Sequence, residues 1–151
     1  AFVTSKGTLY KKDESFRKQL AEKTDLIGAI RLSNNTFKAT ASTEVTSDII
    51  FLQKRSAPPE ELPDWVYPGK TEDGLRVNSH FAENPDMVLG TIVGVNKLYG
   101  RNDDTMCIPI EDADLRQRIR ETVQKLDAQI SQIKTNEVFK FSDKQVTMTE
   151  A

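Results

Sequence analysis

The chain has 151 residues, 37% of them hydrophobic, with a formal net charge of −2 and a single cysteine. That length carries one domain with a modest core plus an appended lobe, and the mildly acidic balance disfavours a free-standing nucleic-acid clamp, which needs a basic face. Cys107 alone cannot form an internal disulfide, and no apolar run approaches the roughly 18 residues that a membrane helix needs, so a soluble cytoplasmic protein is expected.

In chain order, Phe2-Val3-Thr4 reads as the end of a strand closed by Lys6-Gly7. Asp13 offers an N-cap and Glu14 a favourable first-turn charge for a helix to about Lys23, with Phe16 and Leu20 on its packed face. Leu26–Leu32 and Asp48–Leu52 are short runs rich in branched residues and apolar on both faces, the pattern of strands covered on both sides. Strand, helix, strand is the elementary α/β crossover. The loop of about 15 residues between the two runs is long by loop statistics and therefore a candidate functional loop. It carries one aromatic, Phe37.

After Arg55 the composition changes. Pro58, Pro59, Pro63 and Pro68 forbid regular helix or central strand, so 56–80 is expected to be a linker or wrapping arm. Trp65 and Tyr67 are expected to pin it to the first lobe. A second lobe, 81–151, opens at Asn84-Pro85, a cap followed by proline that predicts a short helical turn over Asp86–Leu89. Thr91–Tyr99 and Thr105–Ile110 are expected to pair as a hairpin. Asp112 or Asp114 would cap a long helix over Leu115–Lys134, and a small hairpin would end the chain around Ser142-Asp143-Lys144. The helix carries an apolar stripe of Leu115, Ile119, Val123, Leu126, Ile130 and Ile133, which can pack on its own domain or on missing parent sequence, or support self-association. The fold expected is α/β: an incomplete mixed sheet over 1–55, then a small α+β lobe with one long helix.

Three segments carry a family resemblance: Leu26–Lys38 (LIGAIRLSNNTFK), Thr43–Arg55 (TEVTSDIIFLQKR) and Phe81–Thr91 (FAENPDMVLGT). Together they resemble the end of the catalytic domain of adenine-specific DNA methyltransferases, of the type found in large helicase–methylase proteins of phages and mobile elements. Ser33 stands where such proteins tend to have proline. The resemblance implies that the sheet is the end of a Rossmann-like methyltransferase domain, whose final strand inserts antiparallel beside parallel ones. It also implies that the glycine-rich turn for S-adenosylmethionine and the Asn-Pro-Pro-aromatic loop lie before residue 1. No cofactor is then expected in this chain itself.

The same resemblance gives Phe37 a role: an aromatic in the loop between the last two strands packs against the flipped adenine. A phenylalanine folded back as a plug against the core is the alternative. Lys38, Lys54 and Arg55 are candidates for DNA phosphate contacts, or simply solvated charge. Asn84-Pro85-Asp86-Met87 lacks the second proline and the aromatic of the amino-group loop, and helix capping explains it. His80, the only histidine, excludes a multi-histidine metal site and reads as a surface or packing residue. Cys107 reads as a small buried hydrophobe. Three functions follow: the C-terminal section of a DNA methyltransferase, inactive alone and partnered by the rest of its parent and by DNA; a stand-alone module docking on a methylase or helicase; or a structural remnant.

Overall fold

The computed structural model describes residues 1–37, 45–95 and 104–127. It is a mixed α/β structure built on a four-stranded sheet. Strand β1 (Phe2–Ser5) leads through a short helix, α1 (Gly7–Tyr10), to helix α2 (Ser15–Lys23) and strand β2 (Thr24–Leu32). Strand β3 (Ser47–Lys54) then inserts between the first two, antiparallel to both, so that β1 and β2 run parallel to each other. The branched runs expected to be strands are the two central strands, and their buried residues Ala29, Ile30, Leu32 and Ile50 form the middle of the core. A bulge between Leu26 and Gly28 interrupts the β2–β3 register.

Helix α2 packs Leu20 against the core as its pattern predicts, but not Phe16. Phe16 is 57% exposed, while Arg17 and Ala21 are buried. The reason is polar: the Arg17 Nε donates to the Val66 carbonyl at 2.7 Å and Nη1 donates to the Thr8 carbonyl at 3.4 Å, which tethers the helix through a long amphipathic side chain. The Asp13 carboxylate accepts from the Ser15 amide at 2.9 Å, but the N-cap position falls on Glu14, one residue later than predicted.

The proline-rich segment is ordered onto this core. A 3-10 turn at Asp64–Val66 buries Trp65 and Val66, leaving Tyr67 37% exposed. Strands β4 (Pro68–Lys70) and β5 (Arg76–Asn78) pair as a hairpin, with Pro68 at the strand start, where its missing N–H costs nothing. Asn78 is buried, and its amide nitrogen donates to the Leu9 and Trp65 carbonyls at 3.0 and 2.8 Å. Helix α3 (Ser79–Glu83) and a 3-10 turn at Pro85–Met87 follow. Val88 and Leu89 are strand β6, parallel to β2, where a helical turn is expected from sequence.

Strands β7 (Thr91–Gly94) and β8 (Thr105–Ile108) form the expected hairpin, whose tip lies outside the described residues. The Asp114 carboxylate then accepts from the Gln117 amide at 3.2 Å, opening helix α4, described over 115–127. Leu126 sits directly on Gly28, where a Cβ would collide with it. Leu115, Ile119 and Val123 pack beside it, so this part of the apolar stripe is spent on the chain's own core. Ile130, Ile133 and the expected terminal hairpin lie outside the described residues. Leu9, Trp65, Phe81, Cys107 and Leu126 belong to one hydrophobic cluster, which draws on all three segments of the sequence.

Candidate functional site

A group of buried polar residues collects at one end of the sheet. Ser5 and Leu32, the last residues of the two parallel strands, both face Ser47 of β3. Around them Arg31, Ser33, Thr46, Ser47, Asp48 and Thr105 are all buried. Among the described residues no buried side-chain nitrogen or oxygen lacks a hydrogen-bond partner. The carboxyl end of parallel strands is where open α/β sheets receive ligands, because loops there are free of the sheet ladder.

From this end rises a β-turn, Ser33 to Thr36, closed by the Thr36 amide donating to the Ser33 carbonyl at 3.1 Å. Ser33 Oγ donates to Asn35 Oδ1 at 2.8 Å, and Thr36 Oγ1 donates to the Ser33 carbonyl at 2.9 Å. Phe37 follows at once. It is partly buried and packed against the core. Lys38 lies outside the described residues.

Beneath the turn, Arg31 and Asp48 form a buried ion pair across β2 and β3. The Arg31 guanidinium also lies over the Phe81 ring, 4.6 Å from its centroid. His80, beside Phe81 in a T-shaped contact, accepts the Ala29 N–H on Nε2 at 3.0 Å. That places the ring against the edge of β2 just before β6 begins to pair at Arg31. Burial lowers the His80 pKa, against the opposing pull of the Ala29 backbone and of Glu83, Asp48 and Asp86. His80 therefore serves as a neutral acceptor for a strand-edge amide.

The hairpin β7–β8 closes the remaining side. Lys6, just past β1, directs Nζ to Asp104 Oδ1 at 2.8 Å and to the Thr105 carbonyl, with the Tyr10 ring 4.5 Å below it. Arg76 lies over the same ring at 4.5 Å. Cys107 is fully buried, and that burial pushes its thiol up to about 11. Gly90 lets the hairpin approach: a Cβ there would meet Cys107 Sγ and the Ile108 carbonyl at 2.5 Å.

Lys54 and Arg55 are not brought to this end. Lys54 pairs with Thr24 at the far end of the β2–β3 ladder, roughly 25 Å from the Ser33 turn at about 3.3 Å per residue. Arg55 is joined there to Asp25, and both line an open depression of about 420 Å³ with Lys54 and Gln53. A phosphate contact at Arg55 would compete with Asp25.

Chemically, the carboxyl end carries a partly buried aromatic and a fringe of amides and hydroxyls, with its acids already engaged: Asp48 with Arg31 and Asp104 with Lys6. Among the described residues no group of three His, Cys, Asp or Glu could hold a metal ion, and no helix is long and apolar enough to cross a membrane. Sequence reasoning missed Arg31, Asp48 and Thr46. The one available signal was a charged residue inside each of two otherwise apolar strands. Comparison with known proteins finds no matching family model, curated sequence or solved structure.

Proposed function

We propose that this chain is the C-terminal section of an adenine-specific DNA methyltransferase. In this reading β1, β3 and β2 are the last strands of a Rossmann-like sheet. S-adenosylmethionine and the loop that grips the target amino group belong to the preceding part of the parent. This chain contributes Phe37 as the aromatic that packs on the extruded adenine. The observation that carries the reading is topological: an antiparallel strand inserted between two parallel ones, with an aromatic-bearing turn at their carboxyl end.

The test uses the whole reading frame that encodes the chain, expressed in a host lacking adenine methylation. N6-methyladenine should appear in its DNA. Phe37→Ala should cost about 1–3 kcal/mol in transition-state binding, the scale of one lost base stack. A parent that makes no N6-methyladenine overturns the reading. A Phe37→Ala protein that melts early yet methylates normally per folded molecule makes Phe37 a core plug.

One observation favours a second reading, a module that docks on a methylase or helicase. Among the described residues strand β1 has β3 on one side only, and Phe2 and Val3 are 44% and 56% exposed. A bare apolar edge accepts an added strand. Stable co-purification of this chain with a separately encoded methylase would favour that reading.

A further inference from the structure

We propose that the β7–β8 hairpin positions the Phe37 turn, with Thr46 as the positioning residue through which it acts. The two limbs of the loop are bonded to a single residue of the hairpin. The Cys107 amide donates to Thr46 Oγ1 at 3.1 Å, and the Cys107 carbonyl accepts from the Asn34 amide at 2.8 Å. Asn34 lies two residues beyond β2 and Thr46 one residue before β3, so the limb that leaves the sheet and the limb that returns share one anchor.

The geometry follows from hairpin pairing. Cys107 faces Ile92 in β7. Antiparallel residues alternate between exchanging both backbone bonds with their partner and turning both outward. Cys107 turns both outward, onto the loop. Two further contacts fix the hairpin in turn. The Thr46 carbonyl accepts the Lys6 amide at 3.0 Å, and Lys6 Nζ holds Asp104 at the start of β8. Thr46 is 4% exposed and couples the end of β1 to the hairpin through its carbonyl and hydroxyl. Phe37 stands three residues after Asn34 on a closed turn, so a shift of the hairpin is carried to the aromatic.

The purpose of this positioning rests on the methyltransferase reading; the mechanical coupling does not. The test on this chain is amide hydrogen exchange in Thr46→Val, which keeps the shape and removes the acceptor. Exchange at Cys107 and over Asn34–Phe37 should quicken by at least about tenfold relative to Ile30 and Ile50 in the sheet. Thr46→Ser should restore the original rates. Asn34→Pro, which deletes the other bond at a turn position that favours proline, is the second probe and should quicken exchange at Cys107 and at the amides of residues 35–37. The proposal is overturned if exchange quickens uniformly with lost stability, or if Cys107 quickens while Asn34–Phe37 does not. In the intact parent, Thr46→Val should lower turnover and leave the KM for S-adenosylmethionine unchanged, with serine rescuing it. Local exchange that responds without any change in turnover would leave the coupling standing and remove the base-contacting reading of Phe37.

Discussion

Arg31 and Asp48 face each other directly across the β2–β3 ladder and meet through two parallel contacts, Nε to Oδ1 and Nη2 to Oδ2, each 2.9 Å. Both side chains are sealed from solvent, at 1% and 0% exposure. A bidentate pair of this kind fixes register, because a one-residue slip of either strand would send its charge to the opposite face, away from its partner.

Breaking the pair from one side strands a charge in the core. Asp48→Ala should cost about 3–5 kcal/mol, measured by urea denaturation. Replacing both partners, Arg31→Met with Asp48→Leu, should recover most of that loss, because neither charge is then buried. A single variant that loses less than about 1 kcal/mol would mean that Arg31 finds water, contrary to its burial.

Gly90→Ala should destabilise by about 1–3 kcal/mol, the range for overpacking a close-packed core. One of the two atoms in its way is the Ile108 carbonyl oxygen, which cannot swing aside as a side-chain end can. The loss should appear in the denaturant midpoint and in weaker protection of the Thr105–Ile108 amides. Gly28→Ala meets only the Leu126 side chain, and should cost less.

His80 makes stability depend on pH. Its folded pKa is depressed by burial, so above the ordinary histidine value near 6.5 both states are neutral and the Ala29 bond is intact. As pH falls below that value the unfolded chain takes up the proton first, and stability drops until the folded pKa is passed. The slope from this group cannot exceed about 1.4 kcal/mol per pH unit. His80→Gln keeps an acceptor for Ala29 without a titrating group, and should flatten the melting temperature profile just below about pH 6.5. An unchanged profile would assign the acid sensitivity to other groups.

Cys107 should resist alkylation in the native state. With its pKa raised to about 11 and no exposed surface, iodoacetamide at neutral pH should modify it only as fast as the structure opens. Mass spectrometry should show rapid labelling in denaturant and slow labelling without it. Fast native labelling would show that the β7–β8 hairpin lifts readily from the core.

Much of the sheet was legible because burial leaves a one-dimensional mark. Leu26–Leu32 and Asp48–Leu52 fall inside β2 and β3, and β7 and β8 fall inside the two runs expected to pair as a hairpin. Helix α2 and its Leu20 contact were legible, but Arg17 looks like a solvent residue until the Val66 and Thr8 carbonyls are near it. Strands β4 and β5 were missed because three-residue strands leave no period to count. The site was harder still. Thr46 and Cys107 lie far apart in sequence, and the bond between them exists only once the hairpin has folded against the sheet. Lys54 and Arg55 looked like neighbours of Phe37 because both flank the same two strands; an antiparallel ladder puts them at its opposite end.

The central position of β3 also sets a timetable. Phe2 finds Ile50 only after the intervening chain has been made, which at about 5–20 residues per second takes on the order of seconds. The β2–β3 hairpin itself closes in about 1–10 μs once its residues are present. During synthesis β1 therefore waits as an apolar strand with neither flank covered. Lys11 and Lys12 follow shortly after it in sequence. Such flanking charges keep a waiting segment from pairing with another nascent chain.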